Sequence, residues 1–198
     1  LINRIRGLLA EFGLVFTQGP EVLRRVLADV IEDAANELPG AARLALQRAQ
    51  LHWIDIDLQI AWCDERIASH VRSDERAKKA AALLGVGPTT ASAVVASVGD
   101  FKQFANARQF GAWLGLVPKQ ESTGDRTKLG KISKRGNKYL RTLFVQAAHV
   151  VLVRRPAAAM RGLWSWIERA AKRLAHRNLL AIALANKLAR IAWAVLAR

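Results

Sequence analysis

The stretch Leu83-Leu84-Gly85-Val86-Gly87-Pro88-Thr89-Thr90-Ala91 decides how this chain folds. Two apolar residues run into two glycines one residue apart, and a proline then opens a segment that closes on alanine. This hhGhGxxxA pattern is that of a helix-hairpin-helix. Glycine lets the chain reverse tightly and bring its backbone close to a ligand, and Pro88 in a first helical turn has no N–H to leave unpaired. The exposed N–H groups at the start of the second helix attract an anion. Gly85, Gly87 and Thr89 are therefore candidate contacts to a nucleic-acid backbone, a grip that reads no base sequence. A plain helical corner with glycine as its C-cap uses the same local chemistry. The charge around the motif favours the first reading.

Across 198 residues, 31 Lys and Arg face 16 Asp and Glu, a net charge of +15 with a pI near 11.2. Such an excess is foreign to an ordinary metabolic enzyme and points to a polyanionic partner. It is also unevenly placed. Residues 1–78 hold ten Lys and Arg against twelve Asp and Glu, a net of −2, whereas residues 79–198 hold 21 against four, a net of +17. The nucleic-acid face belongs to the second part.

Aliphatic and aromatic residues make up 52% of the chain, which excludes disorder at this length. Five Pro and 13 Gly are few, and Ala, Leu, Arg and Lys dominate, so helices are expected over sheets. The single cysteine, Cys63, excludes a disulfide framework and a cysteine-based zinc site and fits a reducing cytosol. No apolar run approaches the roughly 18 residues of a membrane span. The longest near the end, Leu179 to Ala185, stops at Asn186-Lys187, and no membrane partner is expected. The chain opens at Leu1 with no signal-peptide pattern and reads as a piece of something longer.

The expected fold is all-α, a long helical hairpin or coiled-coil-like arm over residues 1–78 followed by a basic helical domain over 79–198. In the arm, Val22, Val26, Val30, Ala34 and Leu38 recur four apart over Glu21–Leu38, and Pro39-Gly40 breaks the pattern. A longer helix follows, with Trp53, Ile56, Ile60, Cys63, Ile67 and His70 on one stripe and Leu44, Leu51 and Leu58 on another. Two stripes need two partners. The preceding helix supplies one, and a second protomer is the candidate for the other, making the arm a dimerisation connector.

In the basic part the spacing predicts helices over Ala80–Val98, interrupted at Gly85–Pro88, then over Phe104–Leu114, Asn137–Val153, Ala157–Ala175 and Asn178–Arg198. Between them Val117–Gly136 lacks a helical period and holds Gly124, Gly130 and Gly136, so one irregular basic loop is expected. Loops on a rigid scaffold tend to carry function. Lys119, Arg126, Lys128, Lys131, Lys134, Arg135, Lys138 and Arg141 crowd this loop and the helix after it, opposed only by Glu121 and Asp125. Helix faces usually mix signs, and this stretch does not. Each phosphate these cations neutralise steepens the salt dependence of binding by about 0.9 in log–log slope.

Ser122-Thr123-Gly124 lies inside that run. A serine hydroxyl attacks a phosphodiester if a base removes its proton and cations hold the developing charge. The neighbouring Lys and Arg supply the cations; nothing local supplies the base, and Ser-Thr-Gly is also an ordinary turn signature. Ser133 is a second hydroxyl candidate, although Ser133 and Asn137 both suit the capping of the next helix. His149 and His176 are read as packing or surface residues on helices. Trp164, Trp166 and Trp193 sit among apolar neighbours and are expected to pack helices together. No metal site is expected, because the basic part offers only Asp100, Glu121, Asp125 and Glu168, too scattered for a two-metal nuclease.

Taken in order, Leu83-Leu-Gly-Val-Gly-Pro-Thr-Thr-Ala, Val98-Gly-Asp-Phe-Lys-Gln-Phe, Phe110-Gly-Ala-Trp-Leu-Gly-Leu-Val-Pro, Ser122-Thr-Gly and Lys131-Ile-Ser-Lys-Arg-Gly-Asn-Lys-Tyr-Leu-Arg141 strongly resemble one bacterial family. It is the C-terminal transposase domain of the DEDD insertion-sequence transposases of the one-ten type, eleven-eleven subgroup, related to the pilin-gene inverting recombinases. The resemblance covers about residues 79–198, and the helical arm suits the family's connector.

That resemblance implies a RuvC-like domain with four acidic residues on the N-terminal side of the arm, acting on DNA with a divalent metal, Mg. It implies that Ser122 is the serine nucleophile, with Ser133 the rival, and that an element-encoded non-coding RNA guides the choice of DNA. It further implies a homo-oligomer, dimer or tetramer, and a cytoplasmic, nucleoid-associated place in a bacterium. This chain lacks the acidic domain and needs no cofactor of its own; alone, it should bind nucleic acid and cut nothing. The contrasting reading is a non-catalytic helix-hairpin-helix clamp on DNA or RNA, in which Ser122 is dispensable. A basic protein that coats RNA is the third.

Overall fold

The computed structural model describes every residue except 124, 125, 127, 155–160 and 175, and of Arg161 the backbone alone. The described residues form helices α1 (Ile2–Glu11), α2 (Pro20–Glu32), α3 (Gly40–Ser73), α4 (Glu75–Ala81), α5 (Pro88–Val98), α6 (Ala107–Trp113), α7 (Lys138–Arg154), α8 (Arg161–Arg173) and α9 (Arg177–Leu196). Between α6 and α7 the antiparallel strands β1 (Pro118–Gln120) and β2 (Leu129–Ile132) pair Pro118 with Ile132 and Gln120 with Leu129. The architecture is mostly α-helical, as composition dictates. The segment expected to be one irregular loop contains this ribbon instead. Its strands are three and four residues long and exposed at all but one position, so they carry no alternation of apolar and polar residues. Ala157 and Ala175, the expected ends of the helix now seen as α8, lie outside the described residues.

The chain divides into two compact units, Leu1–Glu65 and Arg66–Arg198. The charge break after residue 78 follows surface composition, whereas this division follows packing.

In the first unit Ile5 and Leu9 of α1, Leu23, Leu27 and Ile31 of α2, and Leu46 and Trp53 of α3 share one core. Helix α2 stops at Glu32, six residues before the expected Leu38. Leu38 is nonetheless buried. The backbone between them is diverted by side chains that compete for its hydrogen bonds. Asp33 Oδ1 accepts the Ala35 N–H at 2.8 Å, the Asn36 amide donates to the Val30 carbonyl at 2.6 Å, and the Arg43 guanidinium donates to the Leu38 carbonyl at 3.1 Å. On α3 only part of the expected Trp53 stripe is covered in this unit, since Ile60 and Cys63 are exposed. Leu44, Leu51 and Leu58 are 65%, 58% and 66% exposed, with Ile54 beside them at 51%.

The second unit is organised around α9. Ala181, Leu184, Ala185, Leu188, Ala189 and Ala192 are buried along it, and its alanines let α6 and α7 approach closely. By length and composition α9 would suffice to cross a bilayer; here it is the core helix of its unit, with Phe101, Phe110 and Phe144 in the same core. Its polar groups are used internally. The Trp193 indole donates to the Phe101 carbonyl and the Asn186 amide to the Leu116 carbonyl, both at 3.1 Å.

Two glycines fix where the ribbon leaves this core. Gly115 follows α6 with φ +72° and Gly136 precedes α7 with φ +127°, a region L side chains rarely enter. A Cβ on Gly115 would meet the Arg135 backbone, and one on Gly136 would meet the Trp113 carbonyl oxygen. The two segments cross with backbone against backbone. The Lys134 N–H donates to the Gly115 carbonyl at 3.1 Å and the Ser133 N–H to the Val117 carbonyl at 2.8 Å, which sets the register at the ribbon's foot.

Gly136→Ala should therefore cost about 3 kcal/mol or more, combining overpacking with a disallowed φ. Gly130→Ala in β2, where a Cβ meets nothing nearer than 3.8 Å, should change stability little. Thermal unfolding of the two variants checks the difference; equal melting temperatures would show that the crossing does not hold the ribbon.

Candidate nucleic-acid interface

The α4–α5 corner begins at Asp74, whose carboxylate accepts the N–H groups of Arg76 and Ala77 at 2.8 and 2.9 Å and caps α4. The Ala77 N–H, first among its causes, holds the Asp74 pKa below its ordinary value. The cap therefore contributes stability above the ordinary carboxylate range and loses it as pH falls through the lowered value. At the far end of the corner, His70 Nδ1 lies 2.9 Å from Ser92 Oγ, fastening the end of α3 to α5.

The two motif glycines have different reasons to be glycine. Gly85 turns the chain with φ +78° and sits against α7, where a Cβ would lie 2.6 Å from the Ala147 carbonyl oxygen and 2.7 Å from Val151 Cγ2. Packing alone demands it. Gly87 has φ −88°, and a Cβ there would meet nothing within 4 Å. It is exposed, it precedes Pro88, and no side chain caps α5, so the orphan N–H groups of the first turn are left for an outside acceptor. Thr89 is exposed in that turn, whereas Thr90 is buried. A cavity of about 420 Å³ beside the corner is lined by Gly85, Val86, Gly87, Val150, Val151 and Arg154. Arg154 is a cation the motif reading passed over. Its signal was its place three residues after the apolar Val151, at the end of a helix the motif packs on.

On the ribbon and its flanks, Lys119, Arg126, Lys128, Lys131, Lys134, Arg135 and Lys138 are all exposed, and none forms an ion pair among the described residues. Lys134 has φ +55°, at the turn between β2 and the Gly136 crossing. Arg141 differs from the other seven. It is half-buried, and its guanidinium donates to the Leu114 carbonyl at 3.0 Å, tying α7 to the end of α6.

Ser122 lies just past β1 and is exposed. Its hydroxyl oxygen accepts a hydrogen bond from the Gln120 amide at 2.9 Å, which leaves the hydroxyl proton free to be taken. The turn beyond it is closed by a bridge between Thr123 and Arg126, and Gly124 and Asp125 lie outside the described residues. Ser133 is half-buried at the foot of the ribbon, where its N–H donates to the Val117 carbonyl. Asn137, immediately before α7, is the residue that caps it, accepting the Leu140 N–H at 3.0 Å. Ser133 is too far from the helix to share that role. His176 is not on a helix; it caps α9, its Nδ1 accepting the Asn178 N–H at 3.1 Å.

Among the described residues no three His, Cys, Asp or Glu groups converge. Asp100 is occupied at the start of the Phe101–Gln103 turn, where it accepts the Lys102 N–H.

Residues 77–165 match the model of the transposase IS116/IS110/IS902 family. Over these residues the chain belongs to that family of transposases. The matched segment opens at α4 and contains the corner, the Gly115–Gly136 crossing and the ribbon. The similarity to whole proteins runs further. The chain is 43% identical over its entire length to the "Probable family 20 transposase" of Pseudomonas aeruginosa, covering 58% of it. It is 40% identical over 98% of its length to the transposase for insertion sequence element IS1328 of Yersinia enterocolitica, covering 56%. It is 36% identical over its entire length to the transposase for insertion sequence element IS1111A of Coxiella burnetii, covering 54%. The chain thus spans little more than half the length of these relatives.

The two glycines of the corner give a direct comparison. Gly85→Ala should lower the melting temperature by several degrees through its clash with α7. Gly87→Ala should leave the fold nearly unchanged and weaken binding to duplex DNA several-fold by shielding the first turn of α5. Thermal unfolding and fluorescence anisotropy separate the two; unaltered DNA affinity in folded Gly87→Ala would remove the corner from the interface.

Proposed function

We propose that this chain is the part of an insertion-sequence transposase that grips DNA and exchanges its strands, with Ser122 as the nucleophile. The observation that carries the reading is an exposed hydroxyl, accepting one hydrogen bond from Gln120, on a ribbon flanked by seven exposed cations that form no ion pair among the described residues. The α4–α5 corner acts as a helix-hairpin-helix, its free N–H groups taking a backbone phosphate near the first turn of α5. Gly85, Gly87 and Thr89 form that grip. Lys119, Arg126, Lys128, Lys131, Lys134, Arg135 and Lys138 neutralise further phosphates. Arg141 contributes through its hold on Leu114.

In the reaction the Ser122 oxygen forms a bond to phosphorus while the bond from phosphorus to one deoxyribose oxygen breaks. The hydroxyl proton passes to a base, and the departing oxygen takes up a proton. The cations stabilise the extra negative charge on the phosphoryl oxygens in the transition state. The phosphoserine ester keeps the energy of the broken bond, so a second strand's hydroxyl can displace serine and rejoin. Among the described residues no carboxylate or imidazole is bonded to Ser122. In a protein of the relatives' length, the base belongs to an acidic RuvC-like domain outside these 198 residues, where four carboxylates would hold Mg. Alone, the chain binds without cutting. A guide RNA encoded by the element is the second polyanion that suits this surface.

The bare stripe on α3 is the surface for a second copy of the chain. Leu44, Leu51 and Leu58 recur every seven residues with Ile54 between them, the a and d positions of a coiled coil. Four exposed aliphatic side chains on one face of one helix are costly to leave in water.

Three outcomes are expected. In the complete transposase carrying these residues, Ser122→Ala abolishes the covalent protein–DNA adduct and leaves DNA affinity within a few fold, whereas Ser133→Ala leaves the adduct; a full adduct in Ser122→Ala sinks the assignment. Lys128→Ala and Arg135→Ala each lower the log–log salt slope of binding by about 0.9. Leu51→Glu with Leu58→Glu turns a dimer into a monomer by light scattering; a wild-type monomer at micromolar concentration would eliminate the arm as a connector.

A further inference from the structure

We infer that the groove between the foot of the β1–β2 ribbon and helices α8 and α9 takes one unstacked nucleotide of a DNA strand, its base against Trp166 and its phosphate on Lys187 and Arg190. The inference rests on the DNA-acting reading above. The groove encloses about 400 Å³, within the range of small-ligand sites. Pro118 and Ile132, the pair at the foot of the ribbon, form one wall, and Trp166 and Ile182 stand among the residues of the others. Lys187 Nζ lies 5.0 Å from the centre of the Trp166 ring. Arg190 follows three residues later, on the same face of α9. None of the described residues lining the groove is acidic.

This combination selects its occupant. A helix or apolar peptide would need only the apolar walls, and the cations would repel a basic one. Two cations beside one indole, with no carboxylate among the described lining residues, match a ligand whose flat apolar part adjoins an anion. A nucleotide has that form. Its base replaces the ammonium on the ring and the ammonium moves to the phosphate, because stacking on an aromatic ring outweighs a half-exposed cation–π contact. The walls are set beforehand, since Asn186 on α9 donates to the Leu116 carbonyl beside the ribbon's foot.

Position adds to chemistry. Pro118 is four residues from Ser122, at most about 14 Å of extended chain. A nucleotide held at the ribbon's foot therefore anchors the strand close to the hydroxyl. Pulling a base from a duplex is least costly where it is already unpaired, so the groove favours DNA that is locally opened.

The test uses the 198-residue chain and a short DNA duplex, either fully paired or with one central unpaired nucleotide, together with single-stranded RNA of the same sequence, measured by fluorescence anisotropy. Wild type should bind the duplex with the unpaired nucleotide about tenfold tighter than the paired one. Trp166→Leu should remove that preference while paired-duplex affinity stays within about twofold, and Trp166→Phe should keep most of it. Folded Trp166→Leu with the full preference overturns the inference, as does a Trp166-dependent preference for the RNA over both duplexes. If Trp166→Leu does not fold, the double variant Lys187→Ala, Arg190→Ala carries the test: equal binding of the two duplexes supports the groove, and an intact preference overturns it. Wild type that binds both duplexes equally sinks the groove alone. Wild type that binds neither sinks the DNA-acting reading with it.

Discussion

The crossing of Gly115 and Gly136 is the constraint on which the functional surface depends. Neither position has room for a Cβ, because each backbone lies against the other segment. The hydrogen bonds that follow, Lys134 to Gly115 and Ser133 to Val117, fix the register of the ribbon's foot. Arg141 then ties α7 to Leu114, and Asn186 ties α9 to Leu116, so three successive residues of one segment are held from three directions. An exposed two-stranded ribbon is marginal by itself. Here it springs from a foot that cannot slip, and its side chains need not stabilise it.

That division of labour explains the charge. Seven cations without ion-pair partners among the described residues repel one another, and a surface under selection for stability alone would intersperse more acids among them. The repulsion is tolerated because the fold is held elsewhere, by the aromatic cluster of Phe101, Phe104, Phe110 and Phe144 and by the alanine-lined α9. A bound polyanion would relieve it. The same economy appears at the corner, where packing demands Gly85, whereas a Cβ at Gly87 would stand in open space.

How much of this could be read from residues alone varied with the physics involved. Helices with long apolar periods, such as α7 and α9, were legible, since burial and periodicity carry the same information there. The end of α2 was not, because Asp33, Asn36 and Arg43 redirect the backbone through hydrogen bonds, and the buried face of α2 is Leu23, Leu27 and Ile31, one position after the Val22, Val26 and Val30 repeat. The ribbon was missed since its short exposed strands have no pattern to read; what specifies it is the distant glycine crossing. The charge run was visible in outline, but the separate duty of Arg141 required knowing that Leu114 lies beside it. Trp166 was read as a packing residue from its apolar neighbours, and its half-exposed ring under Lys187 became apparent only from α9.

Trypsin digestion of the covalent protein–DNA complex formed by the complete transposase, followed by mass spectrometry, addresses the central claim most directly. The account predicts a nucleotide remnant on the peptide 120–126, at the Ser122 oxygen. A remnant on the peptide 132–134, which carries Ser133, or on a residue outside the ribbon, would contradict it.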